Sequence, residues 1–179
     1  MQVKKEEKKR AIVESALKLV VEKGIDDVST DEIARRARVG KGTIYVYFKS
    51  KDEILEAVVE SVYNSFTEDI RIAIENSKNV ENFIENLAER LFERMEIRGR
   101  ILHMFHRSYK DYRKVYERFK SEYKKELKKA YKKFDLKVDF DTFYFVLTSF
   151  LMSSYILSKD LDLEKVKEIV KNSLLKILK

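Results

Sequence analysis

The chain has 179 residues, of which 44% are hydrophobic and 39% charged, and its formal net charge at pH 7 is +7. It contains no cysteine, no proline and only four glycines, which excludes disulfides, thiolate metal sites and cysteine nucleophiles and disfavours folds that need many turns. The length suits one compact domain or a small domain fused to a larger one, and the abundance of Lys, Glu, Leu, Ile and Arg predicts an all-α chain.

The first two predicted helices are a long amphipathic helix and a short capped one. Apolar residues recur at helical spacing over residues 4–23, and Gly24 follows as the predicted left-handed residue at the helix end. Ser29 and Glu32 have the spacing of a capping box. This box predicts a second helix that begins at Thr30 and ends near residue 37.

Seven further helices are predicted along the rest of the chain. A third short helix covers residues 40–48, and a second capping box, from Ser50 to Glu53, opens a long fourth helix that ends near Asn76. No linker separates these helices. The other five cover residues 80–97, 100–107, 109–134, 140–158 and 163–178. The residues predicted to break or cap them are Gly99, Ser108, Asp139 and Asp162.

The second and third helices are predicted to form a helix-turn-helix, because two short helices joined by a tight turn pack on a longer one. Gly40 and Gly42 leave the first turn of the third helix nearly without side chains, so its backbone amides can approach phosphates. Thr43 offers a hydroxyl and a methyl group, and Tyr45 and Tyr47 offer phenol donors. Such a surface suits the major groove of DNA; the ordinary alternative is a helical hairpin with an exposed basic face.

Positive charge is concentrated in two runs. Residues 35–51 contain six Lys or Arg and no Asp or Glu, whereas residues 113–133 contain ten Lys or Arg and three Glu. The first run is compact and interleaved with hydroxyl-bearing side chains, which indicates phosphate binding. The second alternates with aromatic residues at helical spacing and is interpreted as a solvated helix face.

Residues 28–55, VSTDEIARRARVGKGTIYVYFKSKDEIL, resemble the TetR family of bacterial and archaeal repressors. They follow the family pattern T-x-x-x-I-A, a turn, and then G-x-x-Y-x-[HY]-F-x-x-K-x-x-L. The matching residues are Thr30, Ile33, Ala34, Val39, Gly42, Thr43, Tyr45, Tyr47, Phe48, Lys51 and Leu55. The remaining two thirds of the chain match the family only in length and helical character.

The resemblance implies roles for individual residues. Those that would hold the phosphate backbone are Thr30, Tyr45 and Lys51. Those that would face base edges or adjacent phosphates are Lys41, Thr43 and Tyr47. Arg38 and Gly42 complete the predicted DNA-binding set.

The turn of the predicted motif departs from the family pattern. Arg38 stands where the family usually has glycine, so either this arginine adopts a left-handed conformation or the turn is wider. Gly40 replaces a common Ser or Ala, and Tyr47 replaces a common His. These departures bear on base preference and leave the predicted fold unchanged.

The seventh predicted helix carries aromatic residues at spacings of three and four. Such a stripe packs in a core or lines a ligand pocket among helices, and one face can do both. The predicted ligand-binding residues are Phe83, Phe92, His103, Met104, Phe105, Tyr109, Tyr112, Tyr116, Tyr144 and Tyr155. His103 and His106 could chelate a metal, bind a ligand or be ordinary histidines; without cysteine or a nearby carboxylate, no metal and no other cofactor is predicted.

Residues 142–158 contain no charged residue. A transmembrane helix needs about 20 predominantly apolar residues. This run is shorter and contains six hydroxyl residues. It is therefore predicted to be a helix buried on two sides, and no membrane is predicted as a partner. The resemblance implies that the last two long helices of each subunit form a four-helix dimer interface. Its predicted residues are Phe143, Leu147, Phe150, Leu151, Ser154, Val166, Ile169, Val170, Ser173 and Ile177.

Together these observations predict an all-α chain with a helix-turn-helix DNA-binding domain at residues 1–50. It continues into a helical ligand-binding and dimerisation domain at residues 51–179. The predicted function is a homodimeric, sequence-specific regulator that binds a pseudo-palindromic operator in double-stranded DNA and is a repressor released by a small hydrophobic effector.

Two other classes of function remain as alternatives: a ligand-independent DNA-organising protein, and an all-α enzyme or carrier that uses the aromatic pocket. No catalytic triad, P-loop or carboxylate pair is recognisable, so no enzyme is predicted. The first ten residues lack the pattern of a secretory signal, which predicts a cytoplasmic protein. The abundance of charged residues beside a single glutamine is typical of thermophile proteins.

Overall fold

A computed structural model describes residues 2–108, 113–157 and 162–178, with side chains for all of these except 2–4, 106–108, 113 and 151–157. Over these ranges the chain forms nine helices and no strand, which confirms the predicted all-α class. The helices are α1 (Gln2–Lys23), α2 (Thr30–Arg36), α3 (Lys41–Tyr47), α4 (Lys51–Glu75), α5 (Val80–Glu93), α6 (Met95–Ser108), α7 (Arg113–Phe134), α8 (Phe140–Leu157) and α9 (Leu163–Leu178).

The chain divides into two compact units. The first consists of Met1–Tyr63 and Arg100–Tyr116, and the second of Asn64–Gly99 and Glu117–Lys179. Helices α4, α6 and α7 therefore contribute residues to both units. The domain boundary predicted at residue 50 separates two functions and stays a prediction.

Side-chain caps define the beginnings of α2 and α4. The Glu32 N–H donates to Ser29 Oγ at 3.3 Å, and the Ser29 N–H donates to Glu32 Oε2 at 3.1 Å, so the first predicted capping box is confirmed. At α4 the Glu53 N–H donates to Ser50 Oγ at 3.2 Å. The Glu53 carboxylate accepts from the N–H of Lys49, at 2.6 Å, so the second box extends one residue further back than predicted.

The two glycines that were predicted to end helices behave differently. Gly24 has a φ of +93° and follows α1 as predicted. The break predicted at Gly99 is wrong, because this glycine lies buried inside α6. The break lies at Arg94, whose φ of −119° and ψ of 11° leave the helical region between α5 and α6. A glycine inside a helix costs about 1 kcal/mol relative to alanine, a cost that a packed helix tolerates.

Apolar residues of α1 to α4 form the core of the first unit, in which α2 packs against both α1 and α3. The buried residues include Ile12, Ala16, Val20, Ile33, Ala34, Ile44, Phe48, Ile54, Leu55 and Val58. Two ion pairs join α2 to α1. Both terminal nitrogens of Arg36 lie 2.5 Å from the carboxylate oxygens of Glu22, and the Lys23 ammonium pairs with Glu32.

In the second unit α9 packs against α5 and α8. The buried residues include Ile70, Phe83, Leu87, Leu91, Tyr123, Leu127, Phe143, Leu147, Val166, Val170 and Leu174. Asp139 and Asp162 cap α8 and α9 as predicted, accepting the N–H groups of Thr142 at 2.9 Å and Lys165 at 3.1 Å. Within the described ranges, no helix combines the length and the apolar character that crossing a membrane requires.

Candidate nucleic-acid interface

The turn between α2 and α3 has the hydrogen bonds of a Schellman motif. The Val39 N–H donates to the carbonyl of Ala34 at 3.0 Å, and the Arg38 N–H donates to the carbonyl of Arg35 at 3.2 Å. Arg38 has a φ of +55°. The left-handed arginine is thus the one of the two predicted alternatives that the structure contains, at a cost of roughly 1–2 kcal/mol relative to a right-handed residue.

Helix α3 has a buried face and an exposed face. Ile44 and Phe48 are 1% and 4% exposed, so both point into the core of the first unit as predicted. Tyr45 is 51% exposed, and Lys41 and Gly42 at the beginning of the helix are also exposed. The buried pair fixes the helix, which leaves the other side available to a partner.

Neither the backbone nor the packing requires glycine at the beginning of α3. A Cβ atom added to Gly42 would meet nothing within 4 Å, and one added to Gly40 would meet only Thr43 Oγ1, at an ordinary 3.8 Å. The bare surface at this point is therefore not a requirement of the fold. It lets another molecule approach the α3 backbone closely.

Two of the predicted phosphate-facing lysines already have partners within the protein. Lys41 Nζ lies 2.8 Å from Asp31 Oδ1, and this hydrogen bond raises the pKa of Lys41. Lys51 Nζ donates to the backbone carbonyl of Asp26 at 3.1 Å. A carbonyl positions the Lys51 ammonium without neutralising it, whereas Asp31 competes directly with phosphate for Lys41.

All eight predicted DNA-binding residues belong to the first unit, where they follow one another from the start of α2 to the start of α4. The exposed ones are Arg38, Lys41, Gly42 and Tyr45, and the half-buried ones are Thr30, Thr43, Tyr47 and Lys51. Their roles stay predictions. Asp31 was not among the predicted residues, because its pairing with Lys41 depends on how α2 and α3 pack.

The residues predicted to bind a ligand divide between the two units. In the second unit Phe83 and Phe92 are buried in the core and Tyr144 is half-buried. In the first unit Phe105 is buried, Met104 half-buried, and His103 and Tyr116 exposed. Tyr109, Tyr112 and the side chains of His106 and Tyr155 lie outside the described residues. In the part of the chain that is described, no three His, Asp or Glu side chains come together to hold a metal ion.

The predicted dimer-interface residues are of two kinds. Phe143, Leu147, Val166 and Val170 are at most 4% exposed in the single subunit because they pack in the core of the second unit, and their assignment to a dimer interface stays a prediction. Ile169 and Ile177 are exposed, Phe150 and Ser173 are half-buried, and the side chains of Leu151 and Ser154 lie outside the described residues. Phe145, which the sequence analysis left out, is 70% exposed.

Three helices with a closed turn, and an exposed third helix within a run of residues that contains no acid, define a helix-turn-helix domain of the DNA-binding class. Residues 12–58 match the model of a family described as bacterial regulatory proteins, tetR family. The predicted resemblance to the TetR family is thereby confirmed for the N-terminal helices, which contain all the matched residues.

Two curated relatives match the same end of the chain. The regulator YuxN of Bacillus subtilis is 39% identical over 67 residues, and the regulator SrpR of Pseudomonas putida is 38% identical over 71 residues. Each match covers 37% of this chain, but only 23% of YuxN and 33% of SrpR. The chain therefore spans much less than two thirds of the length of these relatives.

Solved structures share the fold over nearly the whole chain. A TetR-family regulator from Rhodococcus has a TM-score of 0.78 at 15% identity, covering 97% of this chain and 100% of that one. RolR in complex with resorcinol has a TM-score of 0.60 at 22% identity, covering 99% and 90%. FadR from Bacillus subtilis in complex with stearoyl-CoA has a TM-score of 0.64 at 18% identity, covering 92% and 96%.

Proposed function

We propose that the chain is a homodimeric transcriptional regulator that binds a pseudo-palindromic operator in double-stranded DNA, represses transcription and is released by a small hydrophobic effector. The observation that carries this proposal is α3 itself. Its buried Ile44 and Phe48 hold it on the core, while Tyr45, Lys41 and Gly42 face outward. This surface lies in the run of residues 35–51, which contains no acidic side chain.

The charge of this run supplies the attraction to DNA, and the side chains of α3 supply the selection of sequence. Lysine and arginine contacts to phosphate are independent of sequence and weaken with salt. An exposed tyrosine and a threonine methyl on a helix of this width can contact base edges in the major groove. A regulator of this kind acts where the chromosome is, and we therefore place it in the cytoplasm.

We place the dimer interface on the exposed sides of α8 and α9. Ile169, Ser173 and Ile177 are spaced by four residues along one face of α9, and both isoleucines are at least 40% exposed. On α8, Phe145 is 70% exposed. Exposed apolar side chains grouped in this way are typical of an interface. A two-fold dimer would set two α3 helices at the spacing of successive major grooves, about 34–36 Å.

The effector belongs to the proposal because two proteins of the same fold were solved with organic ligands, resorcinol in RolR and stearoyl-CoA in FadR. A ligand weakens operator binding only if it binds the DNA-free arrangement more tightly than the DNA-bound one. Coupling of this kind is usually about 1–3 kcal/mol, which corresponds to a change in operator affinity of roughly 5- to 150-fold.

The test is selection of bound duplexes from a random-sequence library, followed by titration of the selected and a scrambled duplex at one salt concentration. A specific regulator should prefer the selected duplex by about 10³-fold or more. Equal affinity for both duplexes would instead support the DNA-organising alternative. Substrate turnover without any DNA binding would support the enzyme alternative.

A further inference from the structure

The second unit contains a buried ion pair between α4 and α6. The side chains of Arg98 and Asp69 are 4% and 7% exposed, and Arg98 Nη2 lies 2.5 Å from Asp69 Oδ2. The same nitrogen donates to the backbone carbonyl of Ser65 at 3.3 Å, and the guanidinium carbon lies 4.5 Å from the centre of the Phe66 ring. Burial lowers the pKa of Arg98 and its pairing with Asp69 opposes this, so the group stays a cation held in one orientation.

Two donors of this guanidinium are left over. Within the described residues, Arg98 Nε and Nη1 have no hydrogen-bond partner, although neither nitrogen is accessible to solvent. Asp69 Oδ2 is also buried without a hydrogen-bond partner, in spite of its 2.5 Å distance from Arg98 Nη2. Unpaired buried donors are costly and rare in native proteins, and the cost is greater when the donor is charged. The Arg98 guanidinium therefore needs a further hydrogen-bond acceptor, which the described part of the chain does not provide.

The charges around Arg98 indicate which acceptor fits. Asp69 already neutralises the guanidinium, so a carboxylate or phosphate would leave an uncompensated negative charge in buried surroundings. A neutral oxygen satisfies the same donors without adding charge.

Aromatic rings continue from the ion pair into α7. The Phe66 ring packs against the Arg98 guanidinium, and the centre of the Phe119 ring is 6.3 Å from that of Phe66. The Tyr123 ring follows at 5.3 Å from Phe119. An apolar molecule could therefore place its body against these rings while its oxygen accepts from Arg98.

We propose that Arg98 is the polar contact of the effector site, and that the effector is an uncharged, mostly apolar molecule with an acceptor oxygen, such as a ketone or an alcohol. This inference rests on the proposed function, whose ligand class it specifies. Asp69 acts as a positioning residue that orients and neutralises the guanidinium, and Phe66 holds its plane.

The experiment uses three aromatic probes of one size and the NMR resonance of the Arg98 Nε–H group, assigned by its loss in Arg98→Lys. Acetophenone carries a neutral acceptor, benzoate a charged one, and ethylbenzene none. Acetophenone should shift this resonance and bind at least about tenfold more tightly than either other probe. The inference is overturned if acetophenone leaves the resonance unshifted, or if benzoate or ethylbenzene binds as tightly.

A double variant separates binding from folding. Arg98→Met with Asp69→Leu removes both charges at similar volume, a replacement that buried ion pairs often tolerate without loss of stability. This variant should unfold at a temperature no lower than the parent and bind acetophenone at least about tenfold more weakly. Arg71→Lys, at a half-exposed arginine of α4, is the matched control and should leave acetophenone affinity unchanged. Unchanged affinity in the folded double variant would overturn the role of Arg98.

These measurements need no DNA, so their result does not depend on whether the proposed regulator function is correct. Acetophenone binding at Arg98 in a protein that selects no DNA sequence would overturn the regulator and keep the site. Sequence-specific DNA binding without any acetophenone response at Arg98 would overturn the site and keep the regulator.

Discussion

Lys41 belongs to the proposed DNA-binding surface and is already paired within the protein. Its ammonium lies 2.8 Å from Asp31 Oδ1, and both side chains are more than half exposed. An ion pair as exposed as this one contributes little to stability. We therefore expect the pair to affect DNA binding more than stability, because a phosphate bound at Lys41 would have to displace Asp31.

Asp31→Asn should therefore strengthen DNA binding several-fold, on the order of one released phosphate contact, with little change in the unfolding midpoint. The selected and scrambled duplexes should gain alike if the lysine contacts phosphate, since phosphate is the same in every sequence. Fluorescence anisotropy at fixed salt measures both affinities. Asp135→Asn, at an exposed acid outside the α2–α3 surface, is the control. Weaker binding by Asp31→Asn would show that Asp31 positions Lys41 for DNA and does not compete with it.

Lys51 is also predicted to contact phosphate, and its ammonium is positioned by the neutral carbonyl of Asp26. Lys51→Ala should weaken binding to all sequences alike and reduce the magnitude of the salt slope by about one. The measurement is a titration of one duplex at several salt concentrations, with Lys78→Ala, an exposed lysine between α4 and α5, as control. A loss restricted to one base-pair position would instead assign Lys51 to base recognition.

At the scale of the element, the position of α2 depends on Glu32, whose carboxylate both caps the helix and binds it to α1. It accepts the Ser29 N–H that opens the helix, and it pairs with Lys23 of α1. Hydrogen bonds from Lys23 and then from Ser29 lower the pKa of Glu32 from 4.5 to about 2. The carboxylate thus contributes to the placement of the helix that precedes the turn.

The pH dependence follows from the sign of this shift. A lowered pKa in the folded state gives stability that is present above the unfolded value of 4.5 and is lost as pH falls toward 2. The parent should exceed Glu32→Gln in stability at pH 7, and the difference should shrink between pH 5 and pH 2. Urea unfolding of both proteins at several pH values measures it, and the comparison cancels the titration of other carboxylates. A difference that is constant with pH would contradict the role of the charged form.

Local features decided which element boundaries the sequence could predict. The caps at Ser29, Asp139 and Asp162 were predicted because each is an interaction between a side chain and a backbone group three residues away. The break between α5 and α6 was placed wrongly, because it lies at Arg94 and arginine is not a residue type that marks a helix end. Gly99 carries such a mark and yet lies inside a packed helix.

The faces of helices were predictable only where polar residues interrupt them. In α3 the pattern separated buried Ile44 and Phe48 from exposed Tyr45. Helix α8 is apolar on most sides, so periodicity could not distinguish the core residue Phe143 from the exposed Phe145. The buried ion pair could have been predicted from the sequence. Arg98 lies three and seven residues before Ile101 and Phe105, so it shares their apolar face of α6, and a charged residue on a buried face needs a partner.

At the scale of the whole molecule, the proposed regulator depends on a dimer, because one α3 contacts only one half of a palindromic operator. Linking two weak half-site contacts raises affinity steeply, as the second contact forms at high effective concentration. A monomer should therefore keep its fold and its attraction to DNA and lose the preference for correctly spaced half-sites. Separating these properties requires a variant that disrupts association alone.

Phe145 and Phe143 provide a matched pair for this purpose, since they lie two residues apart on α8 and are 70% and 0% exposed. Phe145→Glu adds a charge to a surface that is already in water in the single subunit, so the subunit should fold while the dimer dissociates. Phe143→Glu buries an unpaired charge and should unfold the protein. Sedimentation measures the oligomeric state, and circular dichroism measures whether each variant is folded. Titration with duplexes that carry two half-sites or one measures the gain in affinity from the second half-site. If Phe145→Glu sediments as a dimer like the parent, the interface does not include this face of α8. If the parent itself sediments as a monomer at micromolar concentration, the proposed dimer is wrong.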